Sequence, residues 1–225
     1  IKRQQLKTVP ANETSTSETS VRPGINKPFN DPDLDVEKFV QRFELESREI
    51  YLNRDKILAA CEIGDGDFVA DVGAGTGVFT RLFSQAVGEQ GWVYAVEIAP
   101  RFIKHINQSA TKNKLANITG VLCMESSVNL PPNSVDVIFI CDTYHHFEYP
   151  KSTLASIHKA LKKDGHMIVI DFERIAGKSR DWTMKHVRAG KAVFRTEIQQ
   201  AGFKLAEEKW IKGFSENYFL KFQKR

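Results

Sequence analysis

Residues 66–80 read Gly-Asp-Phe-Val-Ala-Asp-Val-Gly-Ala-Gly-Thr-Gly-Val-Phe-Thr, in which an apolar run reaches one acidic residue before a glycine-rich turn. The run at 68–72 has the composition of a strand that is buried on both faces of a parallel sheet. Glycines at 73, 75 and 77 permit a tight turn and let a ligand approach the backbone closely. This arrangement predicts an α/β sheet that holds a nucleotide-like cofactor at the turn.

The glycine spacing and the neighbouring charge distinguish between cofactors. A dinucleotide fingerprint requires Gly-x-Gly-x-x-Gly, but counting from Gly73 puts Val78 at the third glycine position. No Gly-Lys-Ser/Thr follows, which excludes a P-loop. The carboxylate of Asp71 would repel a pyrophosphate and favour a ligand that carries positive charge. S-adenosylmethionine meets this requirement, because it has a sulfonium and an ammonium group and no phosphate.

At this turn the chain resembles a known family. Asp71-Val72-Gly73-Ala74-Gly75-Thr76-Gly77 is similar to motif I of the class I S-adenosylmethionine-dependent methyltransferases, and the resemblance extends from about residue 48 to the C-terminus. It implies a doubly wound, Rossmann-like, mostly parallel sheet of seven strands in the order 3-2-1-4-5-7-6 with an N-terminal helical extension. It also implies S-adenosyl-L-methionine as the cofactor and methyl transfer as the activity.

Later strands supply further candidates for the cofactor site. The segment 92–97 reads as a second strand ending in Glu97, at the distance expected of a carboxylate that binds ribose hydroxyls. The resemblance implies an acidic acceptor for the adenine amino group after the third strand, where the register leaves Glu125 and Ser126 as alternatives and favours Glu125. The predicted cofactor-binding residues are Asp71, Gly73, Ala74, Gly75, Thr76, Gly77, Glu97, Ile98, Glu125, Ser126 and Asp142.

The fourth strand is followed by a polar loop that contains the catalytic candidates Asp142, Tyr144, His145 and His146. They are candidates because ligands bind at the carboxyl ends of parallel strands. We expect in-line displacement of the sulfonium methyl, in which positioning contributes most and a base is optional. For a hydroxyl acceptor, either histidine is the expected proton acceptor, since imidazole titrates near neutral pH. A packing or loop-ordering role for one histidine is the alternative.

The sequence predicts no metal site, with one alternative. Asp142 and Asp171 end adjacent predicted strands, as ligands do in the metal-dependent catechol-type methyltransferases. The cysteines at 61, 123 and 141 lack zinc-ligand spacing and are expected to be buried thiols.

Composition divides the chain into three parts. Residues 1–30 are polar and of low complexity, which predicts disorder. Residues 31–62 are expected to form a helical lid or extension, and residues 63–225 the cofactor-binding domain. Apolar periodicity predicts helices from 36 to 43 and from 50 to 60. The alternation expected of a doubly wound sheet predicts further helices near 78 to 87, 100 to 113, 151 to 163 and 181 to 201.

Two groups of residues are candidates for contacting the acceptor. Phe43, Arg48 and Tyr51 in the helical extension are lid candidates, for which packing on the sheet is the alternative. The basic stretch 185–191, expected on the last helix, could bind an anionic acceptor through His186 and Arg188 or form a solvated face.

Charge and hydropathy limit the partners. The 225 residues carry a net charge of +4, with 32 basic and 28 acidic residues, so charge gives no indication of nucleic acid binding. No apolar run approaches the ~20 residues of a membrane helix. The Asp/Asn-Pro-Pro-aromatic sequence of base-methylating relatives is absent, since 142–144 reads Asp-Thr-Tyr. We therefore expect a small-molecule acceptor of unspecified identity. Segments 204–211 and 217–222 are expected to form a terminal antiparallel strand pair, which offers an edge for a dimer, but the sequence predicts no oligomeric state.

Three alternatives concern function and location. A nicotinamide-dependent oxidoreductase would use the same kind of sheet, and a cofactor-binding module without catalysis would keep the same pocket. The chain begins at Ile1 without an initiator methionine, which indicates that a preceding segment was removed or omitted. Cofactor supply favours the cytoplasm, and an exported protein with a processed leader is the alternative.

Overall fold

The computed structural model describes residues 18–45 and 48–225, which form a seven-stranded sheet with helices on both faces. Its strands are β1 (Phe68–Val72), β2 (Trp92–Glu97), β3 (Ile118–Leu122), β4 (Val135–Cys141), β5 (Leu161–Phe172), β6 (Phe203–Lys209) and β7 (Asn217–Lys224). Their order across the sheet is β3-β2-β1-β4-β5-β7-β6. The first five are parallel, and β7 runs antiparallel to both β5 and β6. The predicted fold class and strand order are confirmed.

The helices within the described residues agree with most of the predicted ranges. They are α1 (Val36–Phe43), α2 (Glu49–Leu52), α3 (Arg54–Ala60), α4 (Val78–Ala86), α5 (Pro100–Lys112), α6 (Pro150–Ala160), α7 (Asp181–His186) and α8 (Lys191–Gln200). The predicted helix at 50–60 is divided into α2 and α3, because the side-chain amide of Asn53 donates to the carbonyl of Glu49 at 2.9 Å and ends α2. None of the described helices is long and apolar enough to cross a membrane.

The core lies on both faces of the sheet because alternate residues of a strand point to opposite sides. In β4, Val137 and Phe139 belong to one hydrophobic cluster, and Ile138 and Ile140 belong to the other. All four side chains are at most 1% exposed. A strand buried on both faces reads as a continuous apolar run, which is why its position could be predicted.

The basic stretch 185–191 differs from the prediction, since it does not lie on one helix. After α7 the chain is extended at Val187, which is fully buried in the core. The guanidinium of Arg188 pairs with both carboxylate oxygens of Glu197 at 2.8 and 2.6 Å. Burial of Val187 and the ion pair of Arg188 account for the break between α7 and α8. Arg188 is therefore not placed to bind an acceptor.

The N-terminal segment also differs from the prediction within its described part. Glu18 accepts hydrogen bonds from the backbone of residues 151 and 152 at 2.9 and 2.7 Å, at the start of α6. Glu148 accepts from the backbone N–H of Gly24 at 2.9 Å. These carboxylate–backbone bonds hold residues 18–30 in a series of turns although the segment is polar. Residues 1–17 lie outside the described residues.

Candidate active site

A cavity of about 960 Å³ lies at the carboxyl ends of β1, β2 and β4, where parallel sheets bind ligands. We name two parts of its lining. The glycine end consists of Asp71, Gly73, Ala74, Gly75, Thr76 and Glu97. The aromatic end consists of Phe29, His145, His146, Phe172, Trp182 and His186.

Positive φ angles shape the glycine turn, with values of +75° at Gly73, +54° at Gly75 and +79° at Gly77. A Cβ on Gly73 would lie 2.2 Å from Cγ2 of Thr143, so the turn touches the loop after β4. Gly77 is different, because it precedes α4 and is not among the residues that line the cavity. A Cβ there would lie 3.0 Å from Ile106. Gly77 therefore shapes the turn, whereas the two preceding glycines face the cavity.

Asp71 lies beneath the turn and is 4% exposed. Its carboxylate accepts a hydrogen bond from the Thr80 hydroxyl at 2.6 Å. Burial raises the pKa of Asp71 to about 7, the Thr80 bond opposes this shift, and the nearby Glu97 carboxylate adds to it. A cation in the cavity would favour the ionised form of this carboxyl.

Glu97 ends β2 at the expected place and is held in a fixed orientation. Its carboxylate accepts from the backbone N–H of Gly75 at 2.9 Å, of Ile98 at 2.7 Å and of Ala99 at 3.0 Å. Burial raises the pKa of Glu97, and these three bonds oppose the shift. A carboxylate has about four acceptor sites, so one remains for a ligand hydroxyl. Ile98 also lines the cavity.

The two alternatives after β3 lie in different places. Glu125 lines the cavity, and its carboxylate is 3.4 Å from the amide nitrogen of Asn30. Ser126 is not among the described residues that line the cavity. The geometry therefore agrees with Glu125 as the candidate acceptor for the adenine amino group, and it does not bring Ser126 to the cavity.

Asp142 connects the loop after β4 to the N-terminal extension. Its backbone has a φ of +49°, and its carboxylate is paired with the guanidinium of Arg48. The other carboxylate oxygen accepts from the amide of Asn217 at 2.8 Å. Burial raises the pKa of Asp142 to about 6, and Arg48 opposes the shift. Asp142 therefore connects Arg48 of the N-terminal extension and Asn217 of β7 at the edge of the cavity, and a metal site shared with Asp171 stays a prediction.

Tyr144, the fourth catalytic candidate, is not brought to the cavity with Asp142, His145 and His146. Its side chain is fully buried and is not among the described residues that line the cavity. The phenol donates to the Glu197 carboxylate at 3.0 Å, on the side of the core occupied by Arg188. Periodicity could not reveal this, because Tyr144–His146 forms a 3₁₀ turn in which the phenol and the histidine rings separate.

His145 and His146 both line the cavity, but their surroundings differ. Nδ1 of His145 is 2.8 Å from the Asp171 carboxylate, which also accepts from the backbone N–H of His145 at 3.0 Å. Nε2 of His146 is 3.3 Å from Nε2 of His186, and Nδ1 of His146 is buried with no partner among the described residues. Burial lowers the pKa of His146 to about 2 and that of His186 to about 4.

The three lid candidates Phe43, Arg48 and Tyr51 all line the cavity. The Phe43 ring reaches the glycine turn, where it would lie 3.6 Å from a Cβ on Gly75. The Arg48 guanidinium lies 5.1 Å from the centre of the Phe43 ring. The helical extension therefore lies over the glycine end of the cavity.

Aromatic residues that no sequence motif indicated complete the aromatic end. Phe29 packs edge-on against His146 with ring centres 5.3 Å apart. Trp182 stacks on His186 at 4.6 Å and contacts Phe172 at 5.4 Å. Phe29 lies in the segment 1–30, which was expected to be disordered. A large apolar residue in this polar segment is the one feature of the sequence that could have indicated a packed position.

A family model described as a methyltransferase domain matches residues 70–169, from β1 into β5. One curated relative is the ubiquinone/menaquinone biosynthesis C-methyltransferase UbiE of Burkholderia mallei, which is 25% identical over 118 residues. The match covers 52% of this chain and 48% of that protein. The chain thus spans about half the length of the curated relatives it matches.

Two solved structures resemble most of the fold. A SAM-dependent methyltransferase from Aquifex aeolicus is 24% identical with a TM-score of 0.73, and the match covers 84% of this chain and 97% of that one. A putative sarcosine dimethylglycine methyltransferase from Galdieria sulphuraria is 17% identical with a TM-score of 0.63, covering 78% and 86%.

Proposed function

Because this chain belongs to the class I S-adenosylmethionine-dependent methyltransferases, we propose that it methylates a small, planar and largely apolar acceptor. S-adenosylmethionine, the cofactor of the family, supplies an electrophilic methyl group bound to a sulfonium. The observation that carries the proposal is the continuity of one cavity from the glycine end to the aromatic end. Such a cavity has room for the cofactor and for a second molecule beside it.

We assign the glycine end to the cofactor. Asp71 offers a buried carboxylate to its cationic part, and the turn at 73–76 lets it approach the backbone. Glu97 has one remaining acceptor site for a ribose hydroxyl, and Glu125 offers a carboxylate to the adenine amino group. Each group supplies an acceptor that matches a donor or a cation of S-adenosylmethionine.

We assign the aromatic end to the acceptor. Phe29, Phe172 and Trp182 present ring faces and edges that bind a flat apolar molecule well. The curated relatives carry the name of a C-methyltransferase in the biosynthesis of quinones, whose rings are of this kind. A hydroxylated aromatic ring is therefore the acceptor class that we propose.

His145 is the residue placed to accept a proton from such an acceptor. Its Nδ1 is held by the Asp171 carboxylate, which leaves Nε2 as the free nitrogen. His146 is a weaker candidate, because burial lowers its pKa to about 2. Holding both reactants in attack geometry can lower the activation barrier by about 7–11 kcal/mol. Positioning therefore contributes more to the rate than a general base does.

Calorimetry with S-adenosylmethionine and with NAD(H) tests the cofactor assignment. We expect only the former to bind, and we expect Glu97→Gln to weaken binding about 10–100-fold, since a bond to a charged acceptor contributes about 1.5–3 kcal/mol. Glu89→Gln, at an exposed position, is the matched control. Binding of NAD(H) alone would instead support the oxidoreductase alternative.

A panel of acceptors then tests the acceptor class. Phenols and hydroxyquinones are compared with aliphatic amines, and S-adenosylhomocysteine formation is measured. We expect turnover with the hydroxylated rings only. Cofactor binding with methylation of amines alone would overturn the acceptor class and leave the family assignment intact, whereas no turnover with any compound would favour the non-catalytic alternative.

A further inference from the structure

Three imidazoles converge at the aromatic end from two distant parts of the chain. His145 and His146 come from the 3₁₀ turn after β4, and His186 is the last residue of α7. One nitrogen from each ring lies within 4.8 Å of the others. We propose that this cluster binds one divalent transition-metal cation, best matched by Zn²⁺, with a coordination position open to the cavity.

The spacing of two of the nitrogens matches tetrahedral coordination. Nε2 of His146 and Nε2 of His186 lie 3.3 Å apart. In a tetrahedral site with Zn–N bonds of about 2.0–2.1 Å, two ligand nitrogens are about 3.3–3.4 Å apart. These two rings therefore need little rearrangement to share one cation.

The third ring has the environment of a metal-binding histidine. Nδ1 of His145 pairs with Asp171 at 2.8 Å, and a carboxylate in this position fixes the tautomer and makes Nε2 a better ligand. Asp171 is itself held by the backbone N–H groups of His145 and Phe172 at 3.0 and 2.7 Å. Asp171 therefore fixes the orientation of the His145 ring, and Nε2 of His145 remains free to bind the cation.

The His146 ring presents Nε2 to the cation, because Nε2 is the nitrogen that faces His186. Its Nδ1 is buried without a partner among the described residues, so it carries the ring proton in the metal-bound form and calls for a water beside it. The positive charges of the Arg22 and Arg42 guanidiniums act on His186 and oppose a cation at the cluster. The negative charge of the Asp171 carboxylate favours one. The Arg22 guanidinium lies beside the cluster, since it donates to the carbonyl of Lys185 at 2.8 Å.

The inference rests on geometry and goes beyond the proposed function, because metal binding does not require methyl transfer. Three histidines with an open position form the arrangement of catalytic zinc sites. A hydroxyl or thiol that fills the open position has a lowered pKa. In the metal-loaded protein His145 is a ligand and not a base, so the cation takes over ionisation of the acceptor.

Metal titration of untagged, chelator-treated protein tests the proposal. Zn²⁺ binding is measured by calorimetry, and Co²⁺ binding by its visible absorption, which is strong when coordination is tetrahedral. We expect one cation per chain and, for His186→Gln, at least about 100-fold weaker binding. His158→Gln on α6, outside the cluster, should bind like the wild type.

A fluorescence measurement gives a second readout. Because Trp182 stacks on His186 at 4.6 Å, Co²⁺ should quench its emission, and Trp182→Phe should remove that quenching while leaving calorimetric binding in place. No binding by wild-type protein with native circular dichroism, or equal binding by His186→Gln, would overturn the proposal. None of these measurements uses S-adenosylmethionine, so failure here is distinct from failure of the proposed function.

Discussion

The glycine end and the aromatic end of the cavity are built in different ways. The glycine end comes mainly from one continuous segment, 71–76, with Glu97 from the neighbouring strand. The aromatic end combines the N-terminal segment, the turn after β4, the end of β5 and α7. A ligand site made by local backbone geometry can be read from sequence, whereas one assembled from distant segments depends on tertiary packing.

The substitution His145→Gln is expected to give the largest difference between an effect on turnover, at the aromatic end, and an effect on cofactor affinity, at the glycine end. Glutamine can keep a hydrogen bond to Asp171 but cannot accept a proton as imidazole does. We expect turnover with a hydroxylated acceptor to fall about 10²–10⁴-fold, while the Kd for S-adenosylmethionine stays within about two-fold. Single-turnover kinetics and calorimetry measure these two quantities, with His158→Gln as control. An equal loss in both would mean that the two ends are not independent.

The converse change is Gly73→Ala at the glycine end. Its Cβ would lie 2.2 Å from Thr143 at a φ of +75°, so the turn must move. Overpacking costs about 1–3 kcal/mol, and we expect cofactor affinity to fall about 10–100-fold. Gly177→Ala is a matched control, because its φ is +74° and no atom lies within 4 Å of the added Cβ.

A rescue variant separates steric conflict from backbone strain at this position. Thr143→Gly removes the side chain that the new Cβ would meet, so the double variant with Gly73→Ala should regain part of the affinity. If the double variant binds no better than Gly73→Ala, backbone strain and not contact with the loop after β4 is the cause.

The same contrast explains what the sequence could and could not predict. The buried strands and the turn have local signatures, so the order of the sheet could be predicted and is confirmed. Glu97 and the histidine pair line the cavity, and their roles stay predictions. Tyr144 was misplaced because a 3₁₀ turn directs adjacent side chains apart, and its phenol meets Glu197 in the core. Trp182 and Phe29 were missed because only tertiary packing brings them to the cavity.

The protonation of Asp71 predicts a pH dependence confined to the glycine end. Its pKa of about 7 in the folded protein exceeds its usual 3.8, so a cationic ligand must displace a proton below neutral pH. Affinity for S-adenosylmethionine should rise between about pH 6 and 8, by up to about 10-fold per pH unit, and then level off. Calorimetry across this pH range measures the affinity of wild-type protein and of Asp71→Asn. The comparison between the two proteins corrects for titration of S-adenosylmethionine itself. Parallel curves for the two proteins would contradict the prediction.

The same raised pKa has the opposite effect on stability. Between about pH 4 and 7 the folded ligand-free protein holds a proton that the unfolded chain has released. The contribution of Asp71 to the free energy of unfolding therefore falls as the pH rises through this window. Urea denaturation should show this decline in wild-type protein and a flatter profile in Asp71→Asn.

The smallest effect on function is expected from Tyr144→Phe, which tests whether this residue belongs to the core. Its phenol donates to Glu197, so we expect the free energy of unfolding to fall by about 1–3 kcal/mol and turnover to stay within about two-fold. Tyr218→Phe is the matched control, because its buried hydroxyl has no partner among the described residues and its removal should cost little or nothing. Urea denaturation and steady-state kinetics measure both variants. A loss of turnover without a loss of stability in Tyr144→Phe would place the phenol at the acceptor after all, and the aromatic end would then extend through the 3₁₀ turn to Glu197.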